Sequence, residues 1–583
     1  MTLPLAPPAR SRPTARRRPA ILSGALWLAP LAFLAVFYFY PLGSLLSLGL
    51  SRSAEGPAAP FLEMLASPFL RGIVGFTFGQ AALSTALTLL LGLPGAYLLA
   101  RYSFRGKALL RALTAVPFVM PTLVVAAGFS ALLGPRGWLN LALMGLFHLP
   151  APPLQILNTL GAILLAHVFY NTTIVLRMVG DFWSHLDPRL NQAAQTLGAS
   201  RAHTLFRVTL PLLMPAIAAA SLLIFLFDFT SFGVILVLGG PRLTTLEVEI
   251  YRQTVSLFNL PLAAALTILQ LVFTLGITIL YLRLSARVQR PLHLRGGSLT
   301  QRPLRGLRER LLAAAMIGVL LTFLVTPLAA LAARSFARLE PEAGQPAAPR
   351  PAWTLDYYHE LGINRRRSLF YTPPAAAIGV SLAYAAATVA LALGLGLPAA
   401  WSLARGEGSL ARRVLDPILM LPLGTSAVSL GLGFIVALDR PPLDLRASPV
   451  LVPLAHTLVA FPFVVRSLVP ALRSIRPRLR HAAGILGAPP LEVIRRIDVP
   501  LVGRGVLVAA TFAFLISLGE FGATAVVARP EYPTVPLAIY RFITAPGALN
   551  YGQALALSTI LMAVCTAGML GIERLRIAEV GEF

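Results

Sequence analysis

The chain has 583 residues, of which 56% are hydrophobic and only 12% charged. Soluble proteins carry roughly 25% charged residues; half that charge cannot cover a globular surface in water, whereas a chain dissolved in lipid needs no such cover. The formal net charge of +26 would suggest nucleic-acid binding in a soluble protein, but the arginines lie between apolar runs, where orientation in a membrane requires them, and nucleic acid is not expected as a partner.

Residues 1–20, with Arg10, Arg12, Arg16, Arg17 and Arg18, read as a disordered Arg/Pro-rich cytoplasmic N-terminus. The apolar run from Ile21 to about Leu50 is too long for a signal-peptide core and reads as an uncleaved first span. Runs able to cross about 30 Å of hydrocarbon, roughly 20 residues each, fall near 21–49, 73–100, 109–133, 157–180, 212–238, 262–283, 311–333, 375–404, 412–438, 449–471, 501–527 and 553–573. The predicted fold class is therefore an all-α polytopic membrane protein of about twelve transmembrane helices, with membrane lipid as its surroundings. With both termini in the cytoplasm, most of the 49 Lys and Arg fall in inside segments, as the positive-inside rule requires. Arg365-Arg366-Arg367 is the exception, placed outside by this topology.

Lys107 is the only lysine, and Ala108 follows it. A phosphate-binding P-loop needs Gly-x4-Gly-Lys-Ser/Thr, so that amides cradle phosphates and the lysine reaches the terminal ones; residue 101 is Arg, and the chain has no such loop. No catalytic residues, cofactor or metal site are expected, and any ATP is expected on partner subunits. Cys565, the single cysteine, lies in an apolar run and reads as packing filler.

The chain repeats itself. Gly92-Leu93-Pro94 with Ala100-Arg101 echoes Gly396-Leu397-Pro398 with Ala404-Arg405. Pro117 and Gly128-Phe129 echo Pro422 and Gly433-Phe434; His167 to Arg177 echoes His456 to Arg466; Phe232-Gly233 and Tyr251-Arg252 echo Phe521-Gly522 and Tyr540-Arg541. Six spans per half means both halves run the same way, a parallel repeat about an axis along the membrane normal. The division is 21–283 for the first half with a polar loop at 181–211, 284–310 for a cytoplasmic linker, 311–574 for the second half with a loop at 472–500, and 575–583 for a cytoplasmic tail.

The two polar loops share one frame. The first reads Gln192-Ala193-Ala194-x3-Gly198-Ala199-x8-Val208-x-Leu210-Pro211, the second His481-Ala482-Ala483-x3-Gly487-Ala488-x8-Ile497-x-Val499-Pro500. Asp187-Pro188 is a helix start, because Asp caps free amides and Pro fits the first turn. Gly198 suits the left-handed residue after a helix end, so 188–197 is predicted to be one short helix, with Ser200 capping the next. Pro477, Gly487 and Pro489 or Pro490 repeat the construction. An ordinary surface loop would explain the punctuation but not its recurrence at the same place in both halves.

Asp228 and Glu520 sit in otherwise apolar spans, where carboxylates are costly and face a cavity or a partner. In the loop register Asp228 matches Ser517, and Ser231 matches Glu520; each half offers an acid and a serine three apart, expected on one helix face. They read as the outer part of a path for a cationic or metal-bearing solute, or as a structural hydrogen bond tying helices. His167 and His456, also register-matched, read as satisfied core histidines or as ligands in the path. Phe232 and Phe521 read as packing at the seam.

The paired frame resembles the EAA loop of permease subunits of bacterial ABC importers, Glu-Ala-Ala-x3-Gly-x9-Ile-x-Leu-Pro, with Gln192 and His481 standing where that family has Glu. The resemblance implies a type I importer permease fold, two coupling helices that dock on two copies of an ABC ATPase, an extracytoplasmic solute-binding protein as a further partner, no enzyme activity of its own, and the bacterial inner membrane as location. The two-half chain further resembles the ferric-iron and thiamine importers at Leu165-Ala166-His167-Val168-Phe169-Tyr170-Asn171, at Gly239-Gly240-Pro241 with Thr244-Thr245 and Ile250-Tyr251, and at Pro536 to Tyr540. That implies thiamine or ferric iron as solute, with a polyamine or an anion as alternatives; a secondary transporter or a polytopic membrane enzyme would leave the doubled loop unexplained.

Overall fold

The computed structural model describes residues 20–51, 62, 66–288, 301–338, 352–363, 373–405, 410–439, 441, 443–475 and 477–580. Most of residues 1–20 and the Arg365-Arg366-Arg367 triplet lie outside them. Among the described residues eleven helices are long and apolar enough to cross a membrane, and a bent pair, Val414–Gly424 with Ala427–Ala437, supplies a twelfth. In lipid each backbone N–H and C=O must be satisfied within its own segment, which leaves helices as the form for such runs.

The twelve are α1 (Leu26–Gly49), α2 (Pro68–Arg101), α3 (Thr122–Leu133), α4 (Leu160–His185), α5 (Leu210–Phe229), α6 (Leu260–Val288), α7 (Leu307–Ser335), α8 (Pro374–Arg405), α9 (Ala427–Ala437), α10 (Leu451–Arg473), α11 (Val499–Gly519) and α12 (Ala548–Val580). In each half a compact group forms: α2, α4 and α5 in the first, α8, α10 and α11 in the second. The first helix of each half crosses to the other, α1 packing on α8 and α9 of the second half, and α7 packing on α3 of the first half as well as on α12 of its own. The two halves are thereby interleaved, and an ion pair from Arg177 on α4 to Glu573 on α12, 2.6 Å, ties them again.

The Gly-Leu-Pro echo has a packing cause. A Cβ on Gly92 would sit 2.7 Å from Val175 Cβ of α4, and one on Gly396 2.6 Å from Val464 Cγ1 of α10. Each glycine lets two helices touch at the same register, as small residues do between membrane helices.

Four spans differ from the straight runs expected of them. The run 109–133 is a short helix Lys107–Leu113, a 3-10 turn Val116–Val119, and α3. The run 412–438 bends by 97° between Gly424 and Ala427. Prolines explain both bends, since Pro117, Pro121, Pro417 and Pro422 offer no N–H to the preceding turn. The runs 212–238 and 501–527 each break near their ends: α5 stops at Phe229 and a short helix Gly233–Leu238 follows, while α11 stops at Gly519 and Gly522–Val527 follows. At the margins, α6 continues to Val288 and α12 to Val580, beyond the expected limits at 283 and 574. Among the described residues two short strand pairs complete the fold, Tyr102–Ser103 with Arg302–Pro303 and Ala337–Arg338 with Ala352–Trp353. In the first, the Arg302 guanidinium lies 5.0 Å over the Tyr102 ring and stitches the end of the linker, just before α7, to the end of α2.

Candidate functional site

Two regions carry the doubled motifs: a pair of polar elbows, and a cavity where the halves meet. The first elbow is a helix Pro188–Thr196 whose N-cap, Asp187, accepts a bond from the Arg189 amide at 2.9 Å. Gly198 follows at φ +89, in the left-handed region that favours glycine. Ser200 then accepts from the His203 amide at 3.2 Å and starts the next helix. The second elbow is Pro477–Ile485, with Gly487 at φ +81 and a new helix at Pro490.

In both elbows the second helix does not end before the span; it runs straight into α5 or α11. A π-helical turn lies at each junction, Leu205–Thr209 and Ile494–Asp498. The prolines that close the frame, Pro211 and Pro500, supply a reason: each leaves the carbonyl one turn back without its usual donor, and the turn widens.

Exposure follows the frame. Gln192, Ala193, Gly198 and Pro211 are exposed, as are His481, Ala482, Gly487 and Pro500, while Ala194 and Ala199, and Ala483 and Ala488, are half-buried. The most exposed large apolar side chains among the described residues are ones that the sequence did not single out: Leu197 at 88%, just before Gly198, and Ile485 at 87% with Leu486 at 86%, just before Gly487. In a chain this rich in apolar residues only the fold distinguishes them. Each elbow is also pinned to its following helix at one register: Thr209 Oγ1 donates to Asn191 Oδ1 at 3.0 Å in the first, and Arg480 Nε donates to Asp498 Oδ1 at 2.7 Å in the second.

At the seam, Phe232 and Phe521 stack with centroids 5.3 Å apart and planes 19° from parallel. Each occupies the break before its short helix. Tyr251 lies 5.0 Å from Phe232 and Tyr540 lies 5.4 Å from Phe521, so four register-matched rings form one row across both halves. Gly233 permits the approach, because a Cβ there would lie 3.2 Å from Phe521 Cδ1.

Beside this row is a cavity of about 340 Å³ lined from both halves. Asp228, Ser231, Phe232, His167, Glu520 and Phe521 line it, together with Glu247, Tyr170 and Asn171, which sequence reasoning did not assign. Ser517 and His456, expected on the path, stand behind its wall. The expected shared helix face is also corrected: Asp228 is in the last turn of α5, and Ser231 is past its end; Ser517 is in α11, and Glu520 is past its end.

The histidines explain this geometry. His167 presents Nδ1 to Ser84 at 3.1 Å and to Asp228 Oδ1 at 3.4 Å, and Nε2 to Ser231 at 2.9 Å. His456 presents Nδ1 to Ser517 at 2.8 Å, and Nε2 to Thr524 at 2.8 Å and Glu520 Oε2 at 3.4 Å. In each half one histidine bridges the end of a long helix to the break that follows, with acid and serine exchanged between the two positions. Both are hydrogen-bonded core residues, 2% and 1% exposed.

Residues 92–290 match the family described as the binding-protein-dependent transport system inner membrane component. Over 528 residues the chain is 27% identical to the thiamine transport system permease protein ThiP of Escherichia coli (strain K12), covering 89% of this chain and 92% of that protein. With ThiP of Brucella abortus (strain 2308) the identity is 29% over 579 residues, 98% of each chain. A half-length relative, the putative 2-aminoethylphosphonate transport system permease protein PhnU of Salmonella paratyphi A (strain ATCC 9150 / SARB42), is 30% identical over 273 residues, 46% of this chain and 94% of that protein. The chain therefore belongs to the binding-protein-dependent ABC importer permeases, as a fused two-half, multi-pass inner-membrane transport subunit that works with an ATPase and a periplasmic binding protein and is not itself an enzyme.

Proposed function

We propose that this permease forms the path of a thiamine importer. The ThiP relatives from Escherichia coli and Brucella abortus, which match nearly its whole length, carry thiamine in their names and favour it over ferric iron. Chemistry at the seam agrees with a cationic, ring-bearing solute: the cavity is lined by carboxylates and aromatic side chains, and among the described residues the lining has no Lys or Arg. The observation that carries the reading is the pair of matched elbows beneath one shared cavity, since a two-fold motor needs two like handles.

On this reading two ATPase copies each grip one elbow, at Gln192, Ala193, Ala194, Gly198, Ala199 and Pro211 in the first half and at His481, Ala482, Ala483, Gly487, Ala488 and Pro500 in the second. Both termini lie in the cytoplasm, and ATP binds the ATPases alone. Closure of the ATPases moves α5 and α11 through the second helix of each elbow, because that helix and the span are continuous. The breaks at Ser231 and Glu520, held by His167 and His456, carry that motion to Phe232 and Phe521. Parting of the two rings opens the cavity.

The test is uptake of labelled thiamine by proteoliposomes holding the permease, its ATPase and its binding protein. ATP-dependent uptake, not competed by ferric ion, is expected. An assembled complex that hydrolyses ATP and admits no thiamine rules the reading out.

A further inference from the structure

Three carboxylates line the cavity, and the structure does not leave them equally free. Glu247 accepts bonds from Ser426 Oγ and Gln270 Nε2, one on each oxygen. Glu520 Oε1 accepts from the Ala523 amide at 3.0 Å; its Oε2 accepts from the Thr524 amide at 3.2 Å and hydroxyl at 3.0 Å. It caps the short helix Gly522–Val527 and is committed to that task. Asp228 differs. Its Oδ1 accepts from Asn171 Nδ2 at 2.7 Å and faces His167, but its Oδ2 has no partner, although the residue is only 1% exposed. Tyr170 Oη, on the same cavity, also has none.

A buried carboxylate oxygen with no donor is costly in a low-dielectric wall and calls for a cation. We infer that Asp228 Oδ2 and Tyr170 Oη are the recognition groups of a one-sided binding site for a monovalent organic cation with an aromatic ring, held in the first half only. The matching position in the second half is Ser517, whose hydroxyl is taken by His456 and Thr388. One cation therefore binds per transporter despite the two-fold frame. Phe227, Phe512 and Phe463 supply ring surface for the rest of the solute, and a cation among such rings gains from their quadrupoles. The cavity's size is at the lower end of the roughly 300–1,000 Å³ usual for small-molecule sites. Only the solute's identity rests on the thiamine reading; the charge and the residue that meets it do not.

The experiment is thermal unfolding of the purified permease–ATPase complex with millimolar additives: thiamine, benzyltrimethylammonium, and the neutral aminopyrimidine half of thiamine at mildly alkaline pH. The wild type is expected to be stabilised by both cations and not by the neutral compound. Asp228→Asn and Asp228→Ser, the latter copying the second half, are expected to weaken the apparent cation affinity by about tenfold or more. Tyr170→Phe removes one hydroxyl, keeps the packing, and is expected to weaken it several-fold, which tests the site if neither Asp228 variant assembles. A wild type stabilised by benzyltrimethylammonium but not thiamine upholds the site and removes the thiamine reading. A wild type that responds to neither cation, or Asp228 and Tyr170 variants that respond like wild type, overturns the inference.

Discussion

Single side chains set the seam and the elbows. His456 holds Ser517, Thr524 and Glu520 around one break, entirely inside the protein. Its replacement by Ala leaves buried hydroxyls without that partner, which costs about 1–3 kcal/mol. A lower melting temperature of the purified permease is the expected result, with an unchanged value contradicting the bridging role. The elbow pins make a second comparison. Arg480 to Asp498 is charge-assisted and Asn191 to Thr209 is neutral; charged hydrogen bonds are worth roughly twice neutral ones. Arg480→Ala is therefore expected to weaken ATPase binding at its elbow more than Asn191→Ala does, as read by co-purification of the ATPase. Equal losses would show that the pins do not order the elbows. At this scale the sequence disclosed which residues matter better than what they touch. Asp228 and Glu520 stand out against apolar neighbours, but which of them keeps a free oxygen depends on Asn171, Ala523 and Thr524, and only folding brings Asn171 to Asp228.

Helices carry the two-fold pattern through close contacts and breaks. Gly92 against Val175 and Gly396 against Val464 are the same contact made twice. Gly92→Leu and Gly396→Leu force each pair of helices apart, at about 1–3 kcal/mol for overpacking, and similar losses of thermal stability are expected from both. A loss from one alone would break the equivalence of the halves. The elbow helices were legible because their signals are local: Asp187-Pro188, Gly198 and Ser200 act within one turn of their own backbone. The bent and broken spans were not. Apolarity marks which residues avoid water and says nothing of direction, so a run such as 412–438 reads as straight although Pro417 and Pro422 turn it through 97°. The break at Phe229–Gly233 was hidden for the same reason, since both sides of it are apolar.

The whole molecule is a pair of interleaved halves in which two elbows continue into two spans and the two spans meet at one aromatic row. The parallel duplication could be read from sequence because each half repeats its glycines, prolines and aromatics in order. The crossing of α1 and α7 to opposite halves has no local signal and became visible only in the fold. The central claim is that both elbows are handles for a separate motor. Cys565 is buried and is the only cysteine, so Leu197→Cys and Leu486→Cys introduce unique exposed thiols. The decisive measurement is disulfide or short-linker cross-linking of each to cysteines in the co-expressed ATPase. The account predicts one ATPase cross-linked at each position, two per permease, with yields that change when ATP binds. An elbow cysteine that is labelled from the periplasmic side, or that never cross-links to an ATPase assembled in the same complex, would contradict it.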